Sequence, residues 1–137
     1  MEGAGETLII PTVDEIILLN RRLIEESGGG LFVGEDNMIN RGALEHALVE
    51  MNATVFGEAI YPTICDKAAL LAWRIIAGHV FVDGNKRTGM ASAKVFLLVN
   101  GFHPRLSMDT VDTALEIATG QMTVIELSHW IEGHWLP

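Results

Sequence analysis

Apolar positions recur with helical spacing along nearly the whole chain, and clusters of glycine, proline and polar residues cut them into segments. The first segment opens at Pro11. Thr12 can cap a helix, Glu15 follows at capping-box distance, and Val13, Ile16, Ile17 and Ile24 keep one apolar face with Arg21, Arg22, Glu25 and Glu26 off it. Gly28-Gly29-Gly30 should stop that helix. After a loop to about Asn40, which can itself cap, Leu44, Ala47, Leu48 and Met51 make the stripe of a short second helix. Asn52 to Pro62 has no helical period. There, Val55-Phe56 and Ala59-Ile60-Tyr61 predict a small β-hairpin around Gly57.

The next two segments differ in kind. Thr63 to Ala77 carries only Asp66, Lys67 and Arg74 as charges, and Thr88 to Asn100 only Lys94. A helix that is apolar nearly all round belongs in the centre of a bundle, and Gly101 is a natural residue to end the second of them. Two amphipathic helices close the chain. One runs from about Asp109 to Thr119 and stops at Gly120. The other is capped by Thr123 with Glu126 and runs to about His134. No internal repeat, linker or low-complexity stretch interrupts this order. The expected architecture is a single all-α domain over residues 1–137. It has roughly six helices, two of them buried at the centre and flanking one loop, with a small hairpin flap.

Composition narrows the function. With 137 residues, 49% of them hydrophobic and 20% charged, the chain can build a real core. A formal net charge of -9 argues against direct binding to nucleic acid or to an anionic membrane surface. Cys65 is the one cysteine, which excludes an intrachain disulfide and fits a reducing cytoplasm. No C-x-x-C or H-E-x-x-H spacing points to zinc. Met1 to Thr7 lacks the basic and apolar regions of a signal peptide, and runs such as Ala68 to Trp73 fall well short of the ~18 residues of a membrane span. A soluble, cytoplasmic protein is expected.

The most polar stretch, His79-Val80-Phe81-Val82-Asp83-Gly84-Asn85-Lys86-Arg87, lies between the two most apolar helices. The helix after it, expected to begin near Arg87 or Thr88, offers free N–H groups and a dipole to an anion. Gly84 lets successive N–H groups curl into a nest. Asn85 can either tie the loop together or donate to a phosphate oxygen. Lys86 adds a point charge, and Arg87 a planar fork that can grip two oxygens. Asp83 is a hard ligand suited to Mg²⁺ on nucleotide phosphates. His79 can accept a proton from an attacking hydroxyl, and Phe81 anchors the loop in the core. Taken singly, each has an ordinary structural use: Asp-Gly-Asn is a common turn, and Lys-Arg a common solvated pair. Their conjunction, between two buried helices, is what points to chemistry.

The string HVFVDGNKRT resembles the Fic signature, H-P-F-x-D-G-N-G-R-x-x-R in its commonest form. It is closer to the variant of the death-on-curing (Doc) branch, H-x-F-x-D-[AG]-N-K-R-T. The resemblance extends to Thr12–Gly30, to Gly42-Ala43-Leu44-Glu45-His46-Ala47-Leu48, to Tyr61-Pro62-Thr63 and to Phe96-Leu97-Leu98-Val99-Asn100-Gly101-Phe102, and so covers most of the chain.

The resemblance implies the Fic fold, with His79 as general base, Asp83 as metal ligand, Gly84, Asn85, Lys86 and Arg87 as the phosphate nest, and Phe81 as the anchor. Val55, Phe56, Gly57, Ile60 and Tyr61 fall where the family places the flap that docks an extended segment of the target protein. Three positions depart from the commonest pattern. Val80 replaces proline, Lys86 replaces the second nest glycine, and Met90 stands where a second arginine would hold the nucleotide for AMP transfer. The Doc branch implies instead a reversed nucleotide and transfer of the terminal phosphoryl group of ATP, with Mg²⁺, to a hydroxyl of a protein such as elongation factor Tu. It also implies restraint by a small antitoxin whose tail folds on binding. At Thr54 to Glu58 the form of an internal inhibitory helix, [ST]-x-x-x-E-[GN], is broken by Ala59. Transfer of AMP, or a catalytically silent Fic-fold interaction module, are the competing expectations.

Overall fold

The computed structural model describes residues 7–28 and 30–137. The reading of the first residues as carrying no leader, and of Gly29 as part of the first helix stop, lies outside them. Among the described residues the order is α1 (Val13–Ser27), α2 (Arg41–Glu50), β1 (Thr54–Val55), β2 (Glu58–Ala59), α3 (Ile64–Ala77), α4 (Asn85–Val99), α5 (Thr110–Ala118) and α6 (Val124–His134). The described residues are all-α apart from one two-stranded hairpin.

Local chemistry sets most of the boundaries. Capping boxes start three helices: Thr12 with Glu15 at α1, Thr63 with Asp66 at α3, and Thr123 with Glu126 at α6. The α3 box also reaches across the fold, because the other oxygen of Asp66 accepts from the Ser128 hydroxyl of α6 at 2.6 Å. At α2, the Asn40 side chain accepts from the Ala43 N–H.

The core forms around α3, which packs most extensively on α4 and next on α6. Leu70, Leu71, Ile75 and Ile76 of α3 meet Ala93, Phe96 and Leu97 of α4 and Leu127 and Ile131 of α6, all essentially closed to solvent. Trp135, just past α6, is the largest fully buried side chain. Lys67 is buried as well. Its ammonium donates to the Met51 carbonyl at the C-terminal end of α2, and burial pushes its pKa down.

The α3–α4 crossing depends on Gly89. A Cβ there would lie 2.6 Å from Cγ1 of Ile76 and 2.9 Å from the Ala72 carbonyl oxygen. Gly89→Ala should therefore destabilise the fold by about 1–3 kcal/mol through overpacking, despite the better helix propensity of alanine. Chemical denaturation would show it as a lower midpoint with an unchanged slope.

Two expectations need correction. The hairpin is shorter than expected, since β2 ends at Ala59, although the Ile60 N–H still donates to the Ala53 carbonyl at 3.0 Å. Its two-residue turn has positive φ at both positions, 50° at Phe56 and 81° at Gly57, the conformation that suits the twist of a tight hairpin. More consequentially, α4 begins at Asn85, not near Arg87 or Thr88.

Candidate active site

Helix α3 ends in a Schellman motif. The Val80 N–H donates to the Ile75 carbonyl and the His79 N–H to the Ile76 carbonyl, each at 3.4 Å. This places His79 at the position after the cap, in the left-handed region with φ of 49°. Glycine usually fills that position because an L side chain is strained there. The sequence instead puts an exposed imidazole on the turn. Val80 and Phe81, which follow, are fully buried and pin the loop from beneath.

A second strip of backbone braces the loop. The N–H groups of Ile39 and Asn40 both donate to the Val80 carbonyl, at 2.8 and 3.1 Å, and the Val82 N–H donates to the Asn37 carbonyl at 2.8 Å. Met38 and Phe81 form an isolated antiparallel bridge. The Asn85 side chain closes the loop on itself, its Oδ1 accepting from the Phe81 N–H and its Nδ2 donating to the Phe81 carbonyl, both at 2.8 Å. Of the two uses open to Asn85 in the sequence, its side chain takes the tying one through Oδ1 and one Nδ2 hydrogen.

Gly84 caps α4 at φ of 82°, and the Thr88 N–H makes the first helical bond, to the Gly84 carbonyl, at 2.8 Å. The N–H groups of Asn85, Lys86 and Arg87 thus have no acceptor within the helix and point out of its positive end. The sequence takes these residues for loop, whereas they are the first turn of α4. Gly84 is required on two grounds. Its φ is left-handed, and a Cβ would lie 2.9 Å from Nδ2 of Asn20.

Asp83, Gly84, Asn85, Lys86 and Arg87 share the wall of a cleft of about 570 Å³ that continues along α4 to Met90, Ala91 and Lys94 and is closed by Ile24 of α1 and Val111 and Ala114 of α5. Lys86 and Arg87 are exposed. The Arg87 guanidinium is steadied by donating to the Leu23 carbonyl at 3.2 Å. The Asp83 carboxylate accepts from the N–H groups of Gly84 at 2.8 Å and Leu31 at 2.9 Å, leaving lone pairs on both oxygens. Among the described residues no group of three or more His, Cys, Asp or Glu forms a metal cage. One carboxylate beside an anion site does fit Mg²⁺, which is commonly held by one or two carboxylates together with substrate phosphates.

Two expected components stand apart from this cleft. His79 and the hairpin do not line it. The hairpin projects by itself, with Phe56 at 102% exposure and Val55 and Ile60 about half exposed, while Tyr61 packs partly into the core. Beneath it the Arg74 guanidinium grips Glu50 through two bonds of 2.9 and 3.0 Å, which hold the Arg74 pKa above its ordinary value and lock α2 to α3.

Asn20 and Asn37 escape the sequence reading. Both are fully buried. Asn20 Nδ2 donates to the Asp83 carbonyl at 3.0 Å and to the Thr88 hydroxyl at 2.9 Å, and its Oδ1 accepts from Asn37 Nδ2 at 2.9 Å. One signal was available: Asn20 sits on the apolar stripe of α1, between Ile16 and Ile24, where an amide is out of place unless it has buried partners.

A family model described as the Fic/DOC family matches residues 10–97, from just before α1 through the loop and into α4. The chain belongs to the Fic/DOC family. It is similar to Toxin Doc of Mycolicibacterium smegmatis, with 38% identity over 99 residues, 72% of this chain and 75% of that protein. It is also similar to Protein kinase doc of Escherichia phage P1, with 32% identity over 114 residues, 81% of this chain and 83% of the phage protein. The matched region of the family contains every loop residue described above, and the all-α architecture with its small hairpin is that of a Fic fold.

Proposed function

We propose that this protein is a Doc-like toxin that transfers the terminal phosphoryl group of ATP to a hydroxyl of a protein target. The observation that carries the reading is the cleft wall: Asp83, the open N–H groups of the first turn of α4, and the cations Lys86 and Arg87 converge on one cleft. Its volume, about 570 Å³, suits a nucleotide. The names of the two relatives, a Doc toxin and a Doc protein kinase, point the same way.

In this reading the phosphates lie against the N-terminus of α4 and the nucleoside over Met90, Val111 and Ala114. Asp83 would hold Mg²⁺, which would offset phosphate charge when bound. His79 takes the proton of the target hydroxyl. The oxygen then bonds to the terminal phosphorus, the bond from that phosphorus to the bridging oxygen breaks, and the negative charge passes to ADP against Lys86 and Arg87. The exposed hairpin adds the target segment as a further strand. Elongation factor Tu is the first target to try. A groove along α1 and α4, lined by Leu18, Leu19, Val95 and Val99, offers an apolar seat to an antitoxin tail.

Two residues separate phosphoryl from nucleotidyl transfer. Lys86 fills the space that glycine leaves open in the commonest Fic nest. Met90, lining the cleft at 4% exposure, supplies no charge where that pattern has its second arginine. Purified protein, ATP, Mg²⁺ and target should therefore yield a target heavier by one phosphate in intact-mass spectrometry, and Lys86→Gly should weaken that reaction and admit some nucleotide transfer. A nucleotide adduct from the unmutated protein would establish AMP transfer instead, and nucleotide binding without any adduct would establish a silent binding module. In cells, expression alone should slow growth and the cognate antitoxin should relieve it.

A further inference from the structure

We propose that Asn20 is a positioning residue for the anion site, oriented by Asn37. Without it, Asp83 and the first turn of α4 would not present their groups to one phosphate. The proposal rests on the reading of the cleft wall as a phosphate site and extends it to the opposite face of the loop.

Both Nδ2 hydrogens of Asn20 are used, and their acceptors bracket the site. One bond takes the carbonyl of Asp83, immediately before Gly84, and the other takes the hydroxyl of Thr88, immediately after Arg87. The peptide plane between Asp83 and Gly84 is thereby fixed from below. That plane sets the direction of the Gly84 N–H, which in turn holds the Asp83 carboxylate at 2.8 Å. On the other side, Thr88 is tied through its N–H to Gly84 and through its hydroxyl to Asn20, so the intervening turn cannot unwind without breaking both bonds.

Asn37 fixes which way the amide of Asn20 faces. It donates from Nδ2 to Oδ1 of Asn20 at 2.9 Å, and lies 3.4 Å from the Asp83 carbonyl, so that carbonyl is approached by both amides. Asn37 is itself held in the left-handed region, at φ of 59°, by the Val33 N–H on its Oδ1 and the Val82 N–H on its carbonyl. A buried amide with every donor matched has one orientation available. The direction of the anion donors is thus set from α1, through a residue that does not line the cleft.

A merely structural amide would change stability and leave the affinity of the folded protein alone, which gives the test. Asn20→Leu keeps the size and removes both donors without adding charge, and Thr88→Val removes the acceptor of one bond only. Each is titrated calorimetrically with Mg²⁺·ATP and with inorganic pyrophosphate, and the amide resonances of Gly84 to Arg87 are followed. Ile131→Val, a core change on α6, serves as a variant with lowered stability only. Asn20→Leu should lose roughly 10- to 100-fold in affinity for both probes, the range for a lost supporting partner, with shifted amide resonances. Thr88→Val should show a smaller loss in the same direction, and Ile131→Val none.

Unchanged affinity and unchanged resonances in folded Asn20→Leu would overturn the proposal. Should that variant not fold, unchanged affinity in Thr88→Val would do the same. If the unmutated protein binds pyrophosphate but not ATP, the nucleotide reading fails while the pyrophosphate series still decides the role of Asn20. If it binds neither, both fall together.

Discussion

Replacing His79 with glycine should leave the protein folded, hold or raise its stability, and cut phosphoryl transfer by about 10²- to 10⁴-fold, the usual worth of a general base. The two halves of this expectation come from one torsion angle. His79 sits at φ of 49°, where the end of α3 calls for glycine. An L residue in that region is held at a cost of about 1 kcal/mol or more, and glycine would relieve it, less some loss from its freer unfolded chain. Backbone strain kept at a position where a stabler residue exists is the mark of a functional constraint. Exposure of the ring adds to the case, since burial gives it no packing role. Thermal denaturation and a transfer assay on the same sample test both halves. His79→Gly with near-normal turnover would remove His79 from the chemistry, whatever its stability.

Much of the fold could be read locally. The boxes Thr12–Glu15 and Thr123–Glu126 lie within single turns, and the apolar stripes of α1 and α2 follow from spacing alone. The hairpin was legible because Gly57 breaks a β-prone run. Its register was not, because Phe56 also takes positive φ and so moves the two-residue turn to Phe56-Gly57, with Glu58 paired to Val55. The start of α4 was placed late for a related reason. Asn85, Lys86 and Arg87 look like loop by polarity, but Gly84 turns the chain so that they become the first helical turn. That correction moves the open N–H groups onto the residues whose side chains carry the charge.

What stayed hidden depends on residues far apart in the chain. The partners of Asn20 lie 63 and 68 positions away, and no local pattern predicts them. Gly89 reads as a small residue inside a helix until Ile76 and Ala72 are seen against it. The buried ammonium of Lys67 is explicable only by the carbonyl of Met51 at the end of another helix. Likewise the sequence places His79 and the nest on one loop, yet only the fold shows that the nest lines the cleft and that His79 is not among its lining residues. In the proposed reading, with that division of roles, a hydroxyl would approach from the His79 side and the nucleotide would lie along α4.

The same division makes Asp83 the residue whose loss should separate binding from proton transfer. Asp83→Asn keeps a similar shape and one oxygen to accept from Gly84 or Leu31, so the loop retains part of its bracing. It removes the negative charge that a divalent ion needs in a wall otherwise occupied by Lys86 and Arg87. The unmutated protein should bind ATP more tightly with Mg²⁺ than with a chelator present, and Asp83→Asn should bind with one affinity under both conditions. A charged contact of this kind is worth roughly 1.5–3 kcal/mol, or about 10- to 100-fold in affinity. The metal-free affinity should hold or rise, because a carboxylate beside phosphates is repulsive until a cation intervenes. Titration calorimetry of both proteins, with Mg²⁺ and with chelator, reads all four values. A Mg²⁺ increment in Asp83→Asn equal to that of the unmutated protein would take the metal away from Asp83. A loss equal in both conditions would reassign the carboxylate to bracing Leu31 and Gly84 alone.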